Sequence, residues 1–282
     1  MNQVKRILNN LKKFSLSGKI SVLFIFMIII IAIFAPYFFF YSPDRSSGPP
    51  LNPPGKGHIF GTDDLGYDIW SQICYGARVS LLVGFGTAFL SALGGGIIGI
   101  ISGYYGGIID KIIMRIVDIM IIMPGLPVMI VMAAFFGPSL LNIILVISIF
   151  SWVIPARIIR SQVLRLKEMK YIKSAETYGA NPLYLIRKHF LPEVFPLLAV
   201  NIIKISGRAI VAEASLSFLG LGDPASRSWG LILHHALNFE GIYYTPFWKW
   251  WLVYPWLALS LLIVSLAFLS RELEDIYSLR NQ

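Results

Sequence analysis

The sequence predicts an all-α polytopic membrane protein, and three observations carry that expectation. Apolar residues fill 56% of the 282 positions and charged residues only 14%, against about a quarter charged in soluble domains. The apolar residues gather into runs of about 20, the length a helix needs to cross a bilayer. The basic residues fall in the short segments between those runs, the pattern of cytoplasmic loops. That distribution argues that the net charge of +9 serves a membrane and not nucleic acid. The single cysteine, Cys74, excludes an internal disulfide.

Six runs are long enough to span: 20–41, 79–104, 116–136, 139–157, 194–219 and 251–270. Lys5, Arg6, Lys12, Lys13 and Lys19 precede the first. That run is too long for a signal h-region, and no small-residue cleavage site follows it. Gly137-Pro138 divides the third run from the fourth, where a helix is expected to stop. With the N-terminus inside, the inner segments hold seventeen Lys and Arg and the outer segments five. Both termini are therefore expected in the cytoplasm.

Gly95, Gly99, Gly103 and Gly107 form a stripe at intervals of four along the second run, which predicts close approach of another helix. Gly94, Gly96 and Gly99 match the dinucleotide fingerprint, but that motif requires a soluble βαβ unit and is rejected inside a span. No phosphate-binding P-loop, G-x-S-x-G elbow or H-E-x-x-H is present. Of His58, His189, His234 and His235 only the last two adjoin, and no metal site is expected. Asp63, Asp64 and Asp68 around Gly66 lack the ligand spacing of a calcium loop and read as a solvated turn. Trp229, Tyr243, Tyr244, Phe247, Trp248, Trp250 and Trp251 read as an interfacial belt, or as contact with an external partner.

Charges inside spans are costly and mark functional candidates. They are Asp118 in the third run and Lys204, Arg208 and Glu213 in the fifth. Lys204 and Arg208, four apart, share a helix face. That face lines either a wet cavity that attracts an anionic group, such as a peptide carboxylate, or a contact with a partner helix.

The longest inner segment, 157–193, predicts a short amphipathic helix with Met169, Ile172, Ala175 or Glu176 and Gly179 near one face. Gly179 suits a left-handed helix end. Asn181 then reads as an N-cap with Pro182 at the first helical position. A second helix is expected over 183–190, ended by Pro192 before the fifth span. Here a resemblance enters. Ser174-Ala175, Gly179, Ile186 and His189-Phe190-Leu191-Pro192 resemble the "EAA" loop of ABC importer permeases. Phe60–Asp68, Tyr75–Arg78, Gly103–Gly107, Met114–Asp118, Glu213–Gly222 and Ser228–Gly230 are similar to the dipeptide/oligopeptide/nickel subfamily, in its "C" subunit. The match is dense from about 58 to 275.

The resemblance implies an ABC importer type I permease fold. It divides the chain into 1–57, which holds the first span and the start of an external loop, and a permease core over 58–282. It implies that Lys173, Ser174, Ala175, Glu176, Gly179, Ile186, Leu191 and Pro192 couple to an ATPase subunit. Lys173 stands where the family has Glu, with Glu176 one turn away. Arg208 stands where a small residue is common. The implied partners are a second, unlike permease, two ATPases that bind ATP and Mg, an external substrate-binding protein and membrane lipid. No cofactor or catalytic residue is expected in this chain. Short peptides are the implied cargo, with nickel or a metallophore as the alternative. An ATPase-independent secondary transporter or channel is a rival from another class.

Overall fold

The computed structural model describes residues 14–38, 41 and 45–280. Lys5, Arg6, Lys12 and Lys13 lie outside the described residues. Among those described, the chain is helical apart from turns and one isolated bridge, Thr62 to Asp68.

The first helix, α1 (Leu16–Phe38), is apolar after Ser21, and α2 (Ile69–Tyr105) runs 37 residues without a break. It starts ten residues before the expected second span because Asp68 caps it, its side chain accepting from the Ser71 N–H at 2.8 Å. Next come α3 (Gly107–Ile122), α4 (Gly125–Phe136), α5 (Leu140–Ser151) and α6 (Val153–Lys167). The third span is therefore not one helix over 116–136. It breaks at Met123-Pro124, where α3 and α4 meet at 93°. Pro124 has no N–H to continue the ladder, and the residue before a proline is pushed to extended backbone; Met123 has ψ 136°. The fourth span bends by 40° at Trp152 and continues to Lys167. Pro155 sits just beyond that bend and cannot donate to Ser151. Gly137, with φ 83°, ends α4 as expected.

The chain continues through α7 (Lys170–Thr177), α8 (Pro182–Leu185), one π-helical turn (Ile186–Phe190) and α9 (Leu191–Phe218). Pro192 does not end a helix. It occupies the first turn of α9, where an N–H is dispensable. The π turn supplies the junction, with the Leu191 N–H reaching back to the Ile186 carbonyl. Pro182–Phe218 thus forms one 37-residue rod. Then follow α10 (Trp229–Asn238), α11 (Trp248–Trp251) and α12 (Val253–Arg280). Among the described residues four helices are long and apolar enough to cross a membrane, or up to six spans if each bent pair counts as one.

The packing centres on α2, which lies against α6 and α9, while α1 packs on α2 and α12. The glycine stripe explains the α2–α6 contact. A Cβ at Gly95, Gly99 or Gly103 would stand 2.3, 2.6 or 2.9 Å from Trp152, Ala156 or Val163. Those are distances at which backbone would have to move. Gly107, the fourth of the stripe, takes no part. It opens α3 with φ 58° and has nothing near it.

The aromatic segment divides. Tyr243, Tyr244 and Trp248 are exposed, but Trp229, Trp250 and Trp251 are buried. The Trp229 Nε1 donates to the Ile73 carbonyl at 2.8 Å and the Trp250 Nε1 to the Thr62 carbonyl at 3.3 Å. A belt accounts for the first group only.

The acidic turn is not solvated either. Residues 45–68 form a strap at the start of α2, with Asp63 and Asp68 buried. Asp63 accepts from the N–H groups of Leu65 and Tyr67 and from Gln72 Nε2 at 2.7 Å. Asp68 Oδ1 pairs with His58 Nδ1 at 2.9 Å. Burial pushes the Asp63 carboxyl above its ordinary value, and the hydrogen bonds to it oppose that shift.

Candidate functional site

Two places hold the residues singled out by sequence. The first is the knob between α6 and α9, at the opposite end of α2 from the strap. Its local rules are those the sequence announces. Tyr178 closes α7, Gly179 has φ 83°, and the Ala180 N–H returns to the Ala175 carbonyl at 3.0 Å. Asn181 Oδ1 accepts from the Tyr184 N–H at 2.7 Å, with Pro182 following it. The short helices α7 and α8 are thereby set at a fixed turn.

Below that turn the knob is rooted. Ile172, Leu185 and Phe190 are fully buried together with Ile159, Val163 and Leu166 of α6 and Val194 of α9. Burying three such side chains is worth about 1.5–3 kcal/mol each. Above it the knob is open: Tyr178 is 91% exposed, and Tyr171, Leu183 and Tyr184 are about half exposed. Around these apolar surfaces stand Lys170, Lys173, Arg187 and Lys188, all exposed.

The predicted coupling residues separate between the two sides. Lys173, Ser174, Glu176, Gly179, Leu191 and Pro192 are exposed, whereas Ala175 and Ile186 are partly buried against the root. Lys173 pairs with Glu168 at 2.5 Å. This pair holds the Glu168 carboxyl below its ordinary value, chiefly through the hydrogen bond from Lys173.

The second place is a groove of about 420 Å³ between α9 and α12. Lys204 and Arg208 both line it, so the shared face is real. They differ in partner, because Lys204 is ion-paired with Glu274 of α12. Glu213 is absent from the groove. It is 1% exposed and accepts from Ser217 Oγ at 2.6 Å, beside Ser228 at the start of α10. Asp118 lies elsewhere again, paired with Arg157 across α3 and α6. The structure therefore brings two of the four intramembrane charges together.

Sequence reasoning missed one neighbouring contact. Arg160 forks onto Asp110, with Nε to Oδ1 at 2.5 Å and Nη2 to Oδ2 at 2.6 Å, and Ser102 also donates to Asp110. By sequence Arg157 and Arg160 fall in the inner segment 157–193, although their spacing of three on a helix announces a shared face. Among the described residues no group of three metal-ligating side chains exists.

Residues 95–277 match the model of the family described as "Binding-protein-dependent transport system inner membrane component". The chain is 37% identical over 268 residues to the dipeptide transport system permease protein DppC of Bacillus subtilis, covering 93% of this chain and 81% of that protein. It is 40% identical over 240 residues to the oligopeptide transport system permease protein OppC of the same organism, covering 84% and 76%. It is also 37% identical over 217 residues to the glutathione transport system permease protein GsiD of Pectobacterium atrosepticum, covering 76% and 72%.

Proposed function

The chain belongs to the binding-protein-dependent transport system inner membrane component family, and from that premise we propose that it is the permease subunit of an ABC importer for short peptides. Relatives whose names specify dipeptide, oligopeptide and glutathione transport support the cargo class. The chain lies in the membrane with both termini in the cytoplasm, and its core over 58–282 forms half of the path beside an unlike permease. An external binding protein delivers the peptide. Two ATPase subunits, which hold ATP and Mg, do the chemical work.

The observation that carries this reading is the knob's two-sidedness. Its root is fused to the spans by buried Ile172, Leu185 and Phe190, while its upper surface is left apolar and basic. In water an exposed cluster of Tyr171, Tyr178, Leu183 and Tyr184 is an interaction surface by default. A knob rooted in this way passes a displacement of its upper surface to α6 and α9 as movement between packed arrangements. Lys173, Ser174, Glu176 and Gly179 would face the ATPase. Ala175 and Ile186 would support them from the root, with exposed Leu191 and Pro192 beside the surface.

The test is purification of the chain in mild detergent, with and without the paired substitution Tyr178→Ala and Leu183→Ala. An ATPase pair is expected with the parent chain and depleted from the variant, with the yield of inserted permease unchanged. Equal recovery of ATPase with both proteins would defeat the assignment.

A further inference from the structure

We infer that Arg208 is a recognition site for a substrate carboxylate within the translocation path, an inference that rests on the peptide-importer reading above. The structure separates two cations that sequence treats as a pair. Lys204 is neutralised by Glu274. Arg208, one turn along the same face of α9, is exposed and makes no hydrogen bond or ion pair among the described residues. Its helix buries the opposite face, with Ile205, Ala209, Ile210 and Glu213 all inside the packing.

The surroundings of Arg208 are mostly apolar, with Lys204 and Ser270 in the groove and Ser151 in the hollow as the other polar side chains. On one side is the groove of about 420 Å³, lined by Ile203, Gly207, Val211, Leu266 and Ala267. On the other is a smaller hollow of about 170 Å³ with Met129, Phe150 and Ile154. Arg208 belongs to both, so its side chain stands at the junction of two spaces.

A guanidinium at membrane depth without an anion is costly, and such residues face a wet cavity or a partner charge. Its planar fork fits a carboxylate through two parallel hydrogen bonds, which gives direction as well as attraction. A peptide with a free C-terminus carries that group. Apolar walls around the cation suit side chains of varied shape, so the site fixes one end of a peptide and leaves the rest unread. A carboxylate from the partner permease has the same chemistry and is the outcome that the experiment separates.

The experiment uses the full complex in proteoliposomes with its external binding protein. The probes are trialanine and its C-terminal amide. Arg208→Ala and the milder Arg208→Gln are compared with the parent chain, and Arg208→Lys serves as the charge-preserving variant. The ratio of free-acid to amide uptake is expected to fall about tenfold in the Ala and Gln variants and to be partly kept in the Lys variant. Complex assembly and peptide binding by the external protein stay unchanged. An unchanged ratio overturns the inference, and so does an equal loss for both peptides, which assigns Arg208 to a protein carboxylate. If the parent complex takes up neither peptide, the peptide reading itself fails and this inference falls with it.

Discussion

The strap at 45–68 and the knob at 168–192 cap opposite ends of the same bundle, and they treat charge in opposite ways. The strap turns His58, Asp63 and Asp68 inward: His58 meets Asp68, Asp63 meets Gln72 and two backbone N–H groups, and Trp250 donates to the Thr62 carbonyl. The knob turns Ile172, Leu185 and Phe190 inward and leaves its charges, its tyrosines and Leu183 outside. A buried, satisfied polar network specifies one arrangement and offers nothing to a partner. An apolar root under an open surface fixes a position and offers a great deal. The strap is thus architecture, and the knob is a contact surface.

The largest effect should come from the strap. Asp68→Ala removes the cap of α2 and strands His58 in a buried site, at a cost of about 3–5 kcal/mol. Thermal unfolding in detergent reads it, and Asp68→Asn, which keeps the cap, should lose less. A melting point equal to the parent's would show the strap to be dispensable. Next is the knob's root. Ile172→Ala should cost about 2–5 kcal/mol and weaken ATPase retention, whereas Tyr178→Ala above it should weaken retention with the melting point held. Equal melting losses for both would erase the distinction between root and surface.

A smaller effect is expected at Gly179. Nothing lies near its absent Cβ, so Gly179→Leu meets no clash, but φ 83° is strained for a side-chain residue by about 1–2 kcal/mol. Substrate-stimulated ATP hydrolysis should fall while insertion is kept, and Gly179→Asn should be milder. Normal stimulated hydrolysis in the Leu variant would remove the knob from coupling.

The smallest effects are those of pH, and their signs differ between the two regions. Asp63 is raised in the folded state, so its stabilising contribution is present at low pH and lost as pH rises through its folded value. Glu168 is lowered, so its contribution is present above the ordinary value of 4.5 and lost as pH falls through the folded value. Hydrogen exchange, corrected for intrinsic rates, should show the strap loosening and the knob tightening as pH rises through the carboxylate range. Parallel changes in the two segments would contradict the sign assignment.

What sequence could reveal followed from how far each interaction reaches. The knob's turn was legible because Gly179, Asn181 and Pro182 act on their own backbone within three residues. Six apolar runs were legible by length alone. The strap was misread as solvated because its partners stand apart in sequence: His58 from Asp68 by ten residues, and Thr62 from Trp250 by 188. Trp229 looked interfacial for the same reason, its acceptor lying at Ile73. The break at Pro124 was available locally, but apolar content outweighed the proline in defining the span. Pro192 was read as a stop, although a proline can equally open a helix. Nothing local distinguished Lys204 from Arg208, because Glu274 lies on another helix.

That reassignment of Pro192 bears on stiffness. Pro192 and Pro196 both lack an N–H, and the π turn beneath them widens the ladder. The rod from Pro182 to Phe218 therefore lacks two ladder donors just past the π turn, from the knob's root toward the level of Arg208. Force applied at the knob would reach the outer three-fifths of the rod through a segment with two fewer ladder bonds than a regular helix. The two imino acids would thereby set how much of the knob's travel arrives at the path.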